Sequence, residues 1–222
     1  IHDGGFLRFK NQKVPKNIKT TFNKKISQII WDLKQLKLSK KAKSTVVMGD
    51  ARTHELEKKF STVITSPPYL NRYDYTRRYA LELTFEFLND QELTELRYNT
   101  LKSHTESRST SITAPSSILE NNLELLSKRE LTNTQIPEMI HGYYADLYAT
   151  LENLSNYARD NARLAFVVST SRFSGIHFEA DVIITDLAEK LGYKLENILI
   201  TKAKAIDRIF STSLKAIIYL PS

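Results

Sequence analysis

The apolar residues of the chain recur at helical spacing in several stretches, separated by charged and amide side chains. From Phe22 to Leu36 they return every three or four positions among Lys, Gln and Asp residues, which predicts an amphipathic helix whose lysine face meets water. Further helices are predicted over 77–97 (one or two helices), 118–130, 137–160 and 178–193, with a short helical connection over 54–60. Pro137 is expected in the first turn of its helix, and Gly192 is expected to end the last helix.

Short β-branched and apolar runs between these helices predict strands. They cover Thr45–Met48, 61–65, 163–169, 194–203 and 214–220. Strands that alternate with helices predict an α/β layered fold with a largely parallel sheet. The last two strands are predicted to be antiparallel, because only a short loop separates them.

The composition excludes several kinds of site. The 222 residues include no cysteine, which excludes disulfides, thiolate chemistry and cysteine–zinc sites and fits a cytoplasmic location. The five histidines show no metal-ligand spacing, so no metal is predicted. No apolar run approaches the roughly 18 residues that cross a bilayer. The length allows one domain, or one and a half, with a sizeable core.

The charge balance is basic, with 32 Lys and Arg against 25 Asp and Glu and a net charge of +7. Such a surface attracts phosphates, which favours a polyanionic partner such as nucleic acid. On charge alone, a solvated lysine-rich surface explains the excess equally well.

Composition also divides the chain into segments. Residues 1–43 are predicted as a basic segment with an amphipathic helix, and 44–222 as the main α/β region. Within that region, residues 102–136 are predicted as an insertion. The Ser/Thr-rich first part of the insertion, 102–117, is expected to be a mobile surface loop.

Two consecutive predicted strands each end in a polar turn at the carboxyl end. Gly49-Asp50 follows one strand and Ser66-Pro67-Pro68-Tyr69 follows the next, and ligands of open α/β sheets bind outside such carboxyl ends. The two prolines fix the backbone and remove two N–H donors, so the turn offers mainly acceptor oxygens beside an aromatic ring. That combination fits a planar ligand with an amino group; the alternative is a merely stiff turn.

The stretch "VITSPPYLNRYDYTRRYALEL" resembles the catalytic region of the S-adenosylmethionine-dependent DNA amino-methyltransferases. These enzymes methylate the exocyclic nitrogen of cytosine or adenine at a (Ser/Asp/Asn)-Pro-Pro-(Tyr/Phe) tetrapeptide, and the Ser form is typical of the cytosine-N4 branch. The resemblance runs from about Thr45 to Leu220, with 102–136 unmatched. It implies a Rossmann-like class I methyltransferase sheet, with the insertion as a possible target-recognition segment.

The resemblance also implies roles for individual residues. The Ser66 hydroxyl and the Pro67 carbonyl would accept hydrogen bonds from the target amine, Pro68 would shape the turn, and Tyr69 would stack on the base. Holding the amine hydrogens in this way directs the nitrogen lone pair at the methyl group, without a metal or a covalent enzyme intermediate.

Further roles concern the cofactor and the nucleic acid. Asp50, with Ala51 beside it, would bind the adenine of S-adenosylmethionine next to Ser66. Arg72 and Tyr73, together with Tyr69, would contact DNA; for Arg72 the alternative is a salt bridge with Asp74.

One expected motif is missing. The family binds its cofactor with a Phe-x-Gly-x-Gly loop after the first strand, whereas this chain has six glycines and no G-x-G. If the strands at 45–48 and 61–65 are third and fourth, the sheet in this chain is incomplete, with its first two strands expected outside it. A glycine-rich segment, covalently attached or on a partner polypeptide, is then expected to complete the cofactor site.

The predicted activity is therefore methyl transfer to the exocyclic amine of a DNA base. Cytosine N4 is the favoured target and adenine N6 the less favoured one, and a restriction–modification or related defence system is the expected context. Two alternatives remain open at this stage. One is an RNA or tRNA base-amine methyltransferase with a similar tetrapeptide. The other is a non-catalytic DNA-binding subunit, which the missing glycine loop favours and the intact Ser-Pro-Pro-Tyr opposes.

Overall fold

The structure is a computed structural model. It describes residues 17–36, 43–71, 73–86, 88–108, 112–204 and 211–219, with side chains up to residue 199. The described chain forms two compact units, one that ends at Met48 and one that begins at Gly49. Within the described ranges, no helix is long and apolar enough to span a membrane.

Helices and strands follow one another in the order expected of an α/β protein. The helices are α1 (Ile18–Gln35), α2 (Tyr75–Arg78), α3 (Ala80–Phe85), α4 (Asp90–Asn99), α5 (Ser117–Ser127), α6 (Ile136–Tyr157) and α7 (Ala180–Lys190). The strands are β1 (Phe60–Thr65), β2 (Ala158–Ser169), β3 (Ser171–Phe173), β4 (Ile176–Phe178), β5 (Lys194–Lys204) and β6 (Ser211–Tyr219).

The first unit consists of α1 and the segment that follows it. The predicted amphipathic helix is confirmed; it begins after Asn17, whose side chain accepts a hydrogen bond from the Thr20 N–H at 3.0 Å. All its residues are exposed, including Phe22 and Trp31 at 62% each.

The predicted buried strand Thr45–Met48 is wrong. This segment has no strand pairing, and Val46 and Met48 are 98% and 99% exposed. A strand is stable only when a neighbouring strand takes up its backbone hydrogen bonds. Thr45–Met48 takes part in no strand pairing with the described strands.

The second unit is built on a four-stranded sheet in the order β1-β2-β6-β5. Strands β1 and β2 are parallel, whereas β6 is antiparallel to both β2 and β5. The expected antiparallel arrangement of the last two strands is confirmed. Strands β1, β2 and β5 run in the same direction and only β6 is reversed, so three of the four described strands of this sheet are parallel, as expected of a largely parallel sheet. Because β6 returns from β5 and inserts between β5 and β2, two of the three pairings in this sheet are antiparallel.

Helices α5, α6 and α7 and one face of β2 form the core. Its most buried side chains are Leu119, Leu126, Met139, Ile140, Tyr143, Tyr144, Leu147, Leu151, Leu164, Phe166, Val168, Ile183, Ile184 and Leu187. Burial of each large apolar side chain contributes about 1.5–3 kcal/mol. Tyr143 and Tyr144 are 1% and 0% exposed.

The predicted helices differ in how well they match. Helices α5, α6 and α7 are confirmed, with Pro137 in the first turn of α6 and Gly192 at φ 86° just after α7. The stretch 77–97 contains three short helices rather than one or two: it includes the end of α2, all of α3 and most of α4. The short helix predicted over 54–60 does not form. With only Leu56 and Phe60 as apolar residues, this stretch has little to bury, and short helices without packing are marginal in water.

The polar segment between α4 and α5 is packed more tightly than its composition indicates. Its described residues, 101–108 and 112–116, form neither helix nor strand, as expected. However, Lys102, Ser103 and His104 are buried at 2–4% exposure, so the expected surface loop is wrong for this part. Each polar group here needs a partner inside the protein, which ties the segment to its surroundings.

Candidate active site

The Ser66–Tyr69 turn begins directly after β1, at its carboxyl end. Pro67 is buried and Ser66 is exposed, so the turn is anchored at its centre and open at its start. The Ser66 hydroxyl donates to the Tyr69 hydroxyl at 3.3 Å, and the Asn71 N–H closes the turn on the Tyr69 carbonyl at 2.8 Å. The tyrosine ring therefore lies beside the exposed serine hydroxyl.

The first residue of β3, Ser171, holds this turn in place. Leu70 is 1% exposed, and its carbonyl accepts a hydrogen bond from the Ser171 hydroxyl, just beyond the end of β2. Because β1 and β2 are parallel, their carboxyl ends lie side by side. The local fold thus brings the tetrapeptide and the β2–β3 junction to the same edge of the sheet.

Two further tyrosines lie behind the turn. Tyr143 of α6 is fully buried; burial raises the pKa of its hydroxyl, and Tyr75 and Tyr69 raise it further. Burial also raises the pKa of Tyr75, against the opposing effect of a backbone hydrogen bond from Tyr69. The turn is therefore backed by neutral phenol rings rather than by a charge.

Asp74 organises the segment that follows the turn. Its carboxylate caps α2 by accepting hydrogen bonds from the N–H groups of Thr76 and Arg77, at 2.9 and 3.2 Å. It also pairs with Arg97 of α4 at 3.0 Å and with the Arg77 side chain at 3.2 Å. Burial opposes its ionisation, but the hydrogen bonds from Thr76 and Arg77, together with nearby positive charge, hold the pKa of Asp74 below its usual value.

The same network reaches the buried part of 101–108. Glu106 pairs with the Arg77 guanidinium at 2.6 Å, and the His104 ring lies 3.2 Å from the Thr100 hydroxyl. Burial lowers the pKa of His104, although Asp74 and Glu106 act in the opposite direction. This segment is thus bonded to the residues that directly follow the tetrapeptide.

Asp50 is held by its neighbour Arg52. The Arg52 backbone N–H donates to the Asp50 carboxylate at 2.9 Å, and the guanidinium donates to it at 2.6 Å. Hydrogen bonds from Arg52 lower the pKa of Asp50, although partial burial opposes the effect. Asp50 is therefore an ionised carboxylate that is still 42% exposed in its side chain.

A buried carboxylate on α6 anchors this Arg52. Asp146 has a fully buried side chain and accepts the Arg52 guanidinium at 2.9 Å and the Lys102 N–H at 2.8 Å. Burial raises the pKa of Asp146, and these two donors act against that effect. The Asn153 amide, further along α6, donates to the Ala51 carbonyl at 3.1 Å. The Asp50–Ala51 turn is thus fixed against α6.

An open pocket of about 330 Å³ lies beside Asp50. Its walls include Tyr98, Ile112 and Ala149, and the Arg108 guanidinium lies 5.0 Å from the centre of the Tyr98 ring. A flat heterocycle with an amino group fits such a pocket, because its ring can pack against the aromatic and aliphatic walls while its amino group donates to the carboxylate.

The structure brings some of the predicted site residues together and leaves others apart. Ser66 and Tyr69 are in direct contact, whereas the described residues show no hydrogen bond between Asp50 and the tetrapeptide. The strand expected to bring Asp50 to the sheet edge does not form, so Asp50 is positioned by α6 instead. Tyr73 lies in a cluster of aromatic rings, and Arg72 lies outside the described residues. In the described part of the chain, no group of three or more His, Asp or Glu side chains could hold a metal.

Several residues of the site carried no simple sequence signal. Asp146 is the clearest case, because its role depends on Arg52 and Lys102, which lie 94 and 44 positions away along the chain. A carboxylate between buried tyrosines and Leu147 on an apolar helix could still have indicated a buried charge that needs a partner. Tyr75 and Tyr79 were detectable by their spacing of four on one helical face.

No protein-family model matches the amino-acid sequence. The chain is similar to the Type II methyltransferase M.AvaI of Nostoc sp., with 32% identity over 155 residues, 64% of this chain and 32% of that protein. The Type II methyltransferase M.BsoBI of Geobacillus stearothermophilus is 31% identical over 160 residues, 61% of this chain and 31% of that protein. The chain spans about a third of the length of these relatives. They confirm that it is related to the methyltransferases that its sequence resembles.

Solved structures include more distant matches. A protein of Thermus thermophilus, TTHA0409, provisionally described as a DNA modification methylase, aligns over 78% of this chain and 52% of its own, with 15% identity and a TM-score of 0.39. The same protein complexed with S-adenosyl-L-methionine covers 46% of this chain and 51% of its own, with 17% identity and a TM-score of 0.33. These superpositions are too loose to transfer residue roles.

Proposed function

We propose that this relative of the Type II methyltransferases transfers a methyl group to the exocyclic amine of a DNA base, with cytosine N4 as the target. The observation that supports this most is the rigid Ser66-Pro67-Pro68-Tyr69 turn at the carboxyl end of β1, where an exposed hydroxyl adjoins a tyrosine ring. The names of the relatives, Type II methyltransferases, favour a restriction–modification system.

The proposed chemistry uses the acceptor character of the turn. An aromatic amine is a weak nucleophile because its lone pair is delocalised into the ring. The Ser66 hydroxyl donates to Tyr69, which leaves its lone pairs to accept one amine hydrogen, while the Pro67 carbonyl accepts the other. S-adenosylmethionine, when bound, supplies an electrophilic methyl group. The amine nitrogen would form the new bond as the bond between sulfur and methyl breaks, with that electron pair left on a neutral thioether product, and it would then lose one proton to water.

Tyr69 supplies the proposed stacking surface for the target base. A base must leave the duplex to reach the turn, which costs a few kcal/mol. Stacking on an aromatic side chain contributes about 1–3 kcal/mol per base and offsets much of that cost. Leu70, buried and bonded through its carbonyl to Ser171, keeps the neighbouring backbone rigid.

Asp50 and Ala51 are the proposed contacts of the cofactor adenine. The residues present fit this end of the cofactor, since the Asp50 carboxylate is ionised, part exposed and borders the pocket with Tyr98 and Ile112. The volume of this pocket, about 330 Å³, is at the lower end of the range for ligand pockets, about 300–1,000 Å³. Ser66 is the proposed contact nearer the reacting methyl group.

A glycine-rich segment is proposed to complete the cofactor site. The sequence has no Phe-x-Gly-x-Gly loop, and among the described strands β1 pairs only with β2, which leaves its other edge free. Ile64 on β1 is 79% exposed. Further strands, from the same protein or a partner, would cover this edge. The proposed division of the chain is a basic segment over 1–43 and a catalytic region over 44–222. Within the catalytic region, the insertion 102–136 is the proposed target-recognition segment.

The test is methyl transfer from labelled S-adenosylmethionine to duplex DNA and to total tRNA. The chain is co-expressed with the polypeptides encoded beside it. Analysis of the modified nucleosides then separates cytosine N4 from adenine N6. Label in tRNA alone, or in neither substrate, would contradict the proposal.

Two variants connect that activity to the tetrapeptide. Ser66→Ala should lower turnover by about 100-fold, the typical effect of losing one hydrogen-bonding group in an active site, with DNA affinity nearly unchanged. Tyr69→Ala should lower turnover and also weaken binding to duplexes with a mismatched target by roughly tenfold. Wild-type turnover in Tyr69→Ala would exclude the stacking role.

A further inference from the structure

The tyrosines that follow the tetrapeptide form a continuous stack of rings. The Tyr73 and Tyr75 rings meet edge to face with centroids 5.3 Å apart, and Tyr75 stacks on Tyr79 at 6.3 Å with an interplanar angle of 9°. Tyr75 is half-buried, whereas Tyr79 is 47% exposed. The stack therefore begins with two partly buried rings, Tyr73 and Tyr75, and ends in a ring that is open to solvent.

Helix α2 fixes the orientation of this stack. Tyr75 and Tyr79 are four positions apart, so they lie on the same side of the helical turn. Thr76 is the buried residue of this helix, and the Asp74 carboxylate caps the start of the helix. The exposed ring is thus held by rigid backbone rather than by a loose loop.

Two adjacent arginines on α2 have different environments. Arg77 pairs with Asp74 at 3.2 Å and with Glu106 at 2.6 Å, so its charge is neutralised inside the protein. Arg78 is exposed, lies 5.1 Å above the Tyr73 ring, and forms no ion pair with any described residue. The stack thus has one cation beside it that remains available to an external anion.

The stack is also continuous with the catalytic turn. Tyr69, which contacts the Ser66 hydroxyl, and Tyr75, which stacks on Tyr79, both raise the pKa of the buried Tyr143 hydroxyl, so the three tyrosines lie near one another. An external ring bound on Tyr79 would therefore lie at the end of a row of aromatic side chains that starts at the proposed target-base pocket.

We propose that Tyr79 and Arg78 form a second base-binding site, separate from Tyr69, for an unpaired base of DNA next to the flipped target. The base stacks on the exposed face of Tyr79, and Arg78 binds the phosphate of the same strand. An aromatic platform beside a cation is the combination that single-stranded nucleic acid sites use. The site rests on the proposed function, because removal of the target base from the duplex also unstacks its neighbour.

The test is fluorescence titration of the 222-residue chain with a short single-stranded DNA that contains a base analogue quenched by stacking. Tyr79→Ala should bind this DNA roughly tenfold more weakly and lose the quenching. Tyr79→Phe keeps the ring and should retain both properties. Phe85→Ala is the matched control, since Phe85 is 79% exposed on the neighbouring α3 and is not part of the stack.

The two arginines give an independent comparison. Arg78→Ala should reduce the slope of log affinity against log salt concentration by about 0.7, the value for one phosphate contact on single-stranded DNA. Arg77→Ala should keep the slope and lower the thermal midpoint instead, because it leaves Asp74 and Glu106 without a partner.

The outcomes separate this inference from the proposed function. Equal binding by wild type and Tyr79→Ala, or an equal loss in Phe85→Ala, would overturn the second site while leaving methyl transfer untouched. Tyr79-dependent binding together with an absence of any methyl transfer would support the second site and contradict the proposed reaction.

Discussion

His104 is a buried histidine in a charged network. The residue is 4% exposed, and its Nδ1 atom has no hydrogen-bond partner among the described residues. The charges around it are Asp74 and Glu106, which favour its protonation, and Arg97 and Arg77, which oppose it. Burial is the largest effect, so the pKa of His104 is lowered and the ring is neutral in the folded protein at neutral pH.

This predicts a loss of stability in mildly acidic solution. Because the pKa of His104 is lower in the folded state, the unfolded chain takes up the proton first, and stability falls as the pH drops below about 6.5. Asp74, whose pKa is also lowered, adds a separate loss below its ordinary value of 3.8. His104→Gln should therefore flatten the dependence of the free energy of unfolding between about pH 7 and pH 5.

Urea unfolding followed by far-ultraviolet circular dichroism measures this effect. Tryptophan fluorescence would be the wrong probe, because Trp31, the single tryptophan, belongs to α1 and thus to the other unit. His177→Gln is the control, since His177 is exposed on β4. If both variants kept the wild-type slope, the buried ring would not be the cause.

At the scale of elements, α6 connects most parts of the site. It contributes Tyr143 behind the tetrapeptide, Asp146 to the Arg52 anchor, and Asn153 to the Ala51 carbonyl. Lys102 crosses the same helix and pairs with Glu138 at 2.6 Å. Gly142 lies one turn after Glu138, where the lysine side chain passes over the helix: a Cβ atom there would be 2.4 Å from Lys102 Cδ.

Gly142→Ala is therefore expected to destabilise the protein, although alanine is the better helix former. The added methyl group displaces the buried Lys102 side chain, at about 1–3 kcal/mol, while helix propensity returns about 1 kcal/mol. In a Lys102→Ala background the obstruction is gone, so the same substitution should stabilise by about 1 kcal/mol. Chemical denaturation of the four proteins of this cycle measures both values. A loss of stability in both backgrounds would mean that Lys102 is not what requires a glycine at this position.

The same scale shows what the sequence could predict. Helices α5, α6 and α7 and strand β2 follow from periodicity, because each buries one face against the core. Strands β1, β5 and β6 follow instead from their short β-branched and apolar runs. Thr45–Met48 has an equally apolar sequence but pairs with no described strand, because local sequence does not determine which strands pair. The rigid turn at Ser66–Tyr69 could be predicted from the sequence, because its two prolines constrain their own backbone.

The remaining parts of the site depend on contacts between distant positions. Arg77 and Glu106 are 29 positions apart, and Arg52 and Asp146 are 94 apart. No spacing rule distinguishes Arg77, which is neutralised, from its neighbour Arg78, which is exposed. Only the folded arrangement of acidic groups assigns them different roles.

At the scale of the whole molecule, the exposed apolar surface and the missing glycine motif are explained by one proposal. On α1, Ile18 and Leu33 are 85% and 53% exposed, and in the second unit Ile64 is 79% exposed on β1, one edge of which pairs with no described strand. An unpaired strand edge and apolar surface of this kind are usually covered by another segment. The sequence also has no G-x-G to hold the ribose and methionine parts of S-adenosylmethionine.

The 222-residue chain alone is therefore expected to bind S-adenosylmethionine too weakly for micromolar calorimetry. On the proposed roles, its own contribution is limited to the adenine end, through Asp50 and the pocket that Asp50 shares with Tyr98. Addition of the proposed glycine-rich polypeptide should restore measurable binding, and Asp50→Ala should weaken that restored binding by roughly tenfold, the effect of one lost hydrogen bond to a charged group. Thr53→Ala, at the same pocket, is the control because Thr53 contributes no charge. Micromolar binding and methyl transfer by the isolated chain would show that its cofactor site needs no glycine-rich segment, and the free edge of β1 would then require a different explanation.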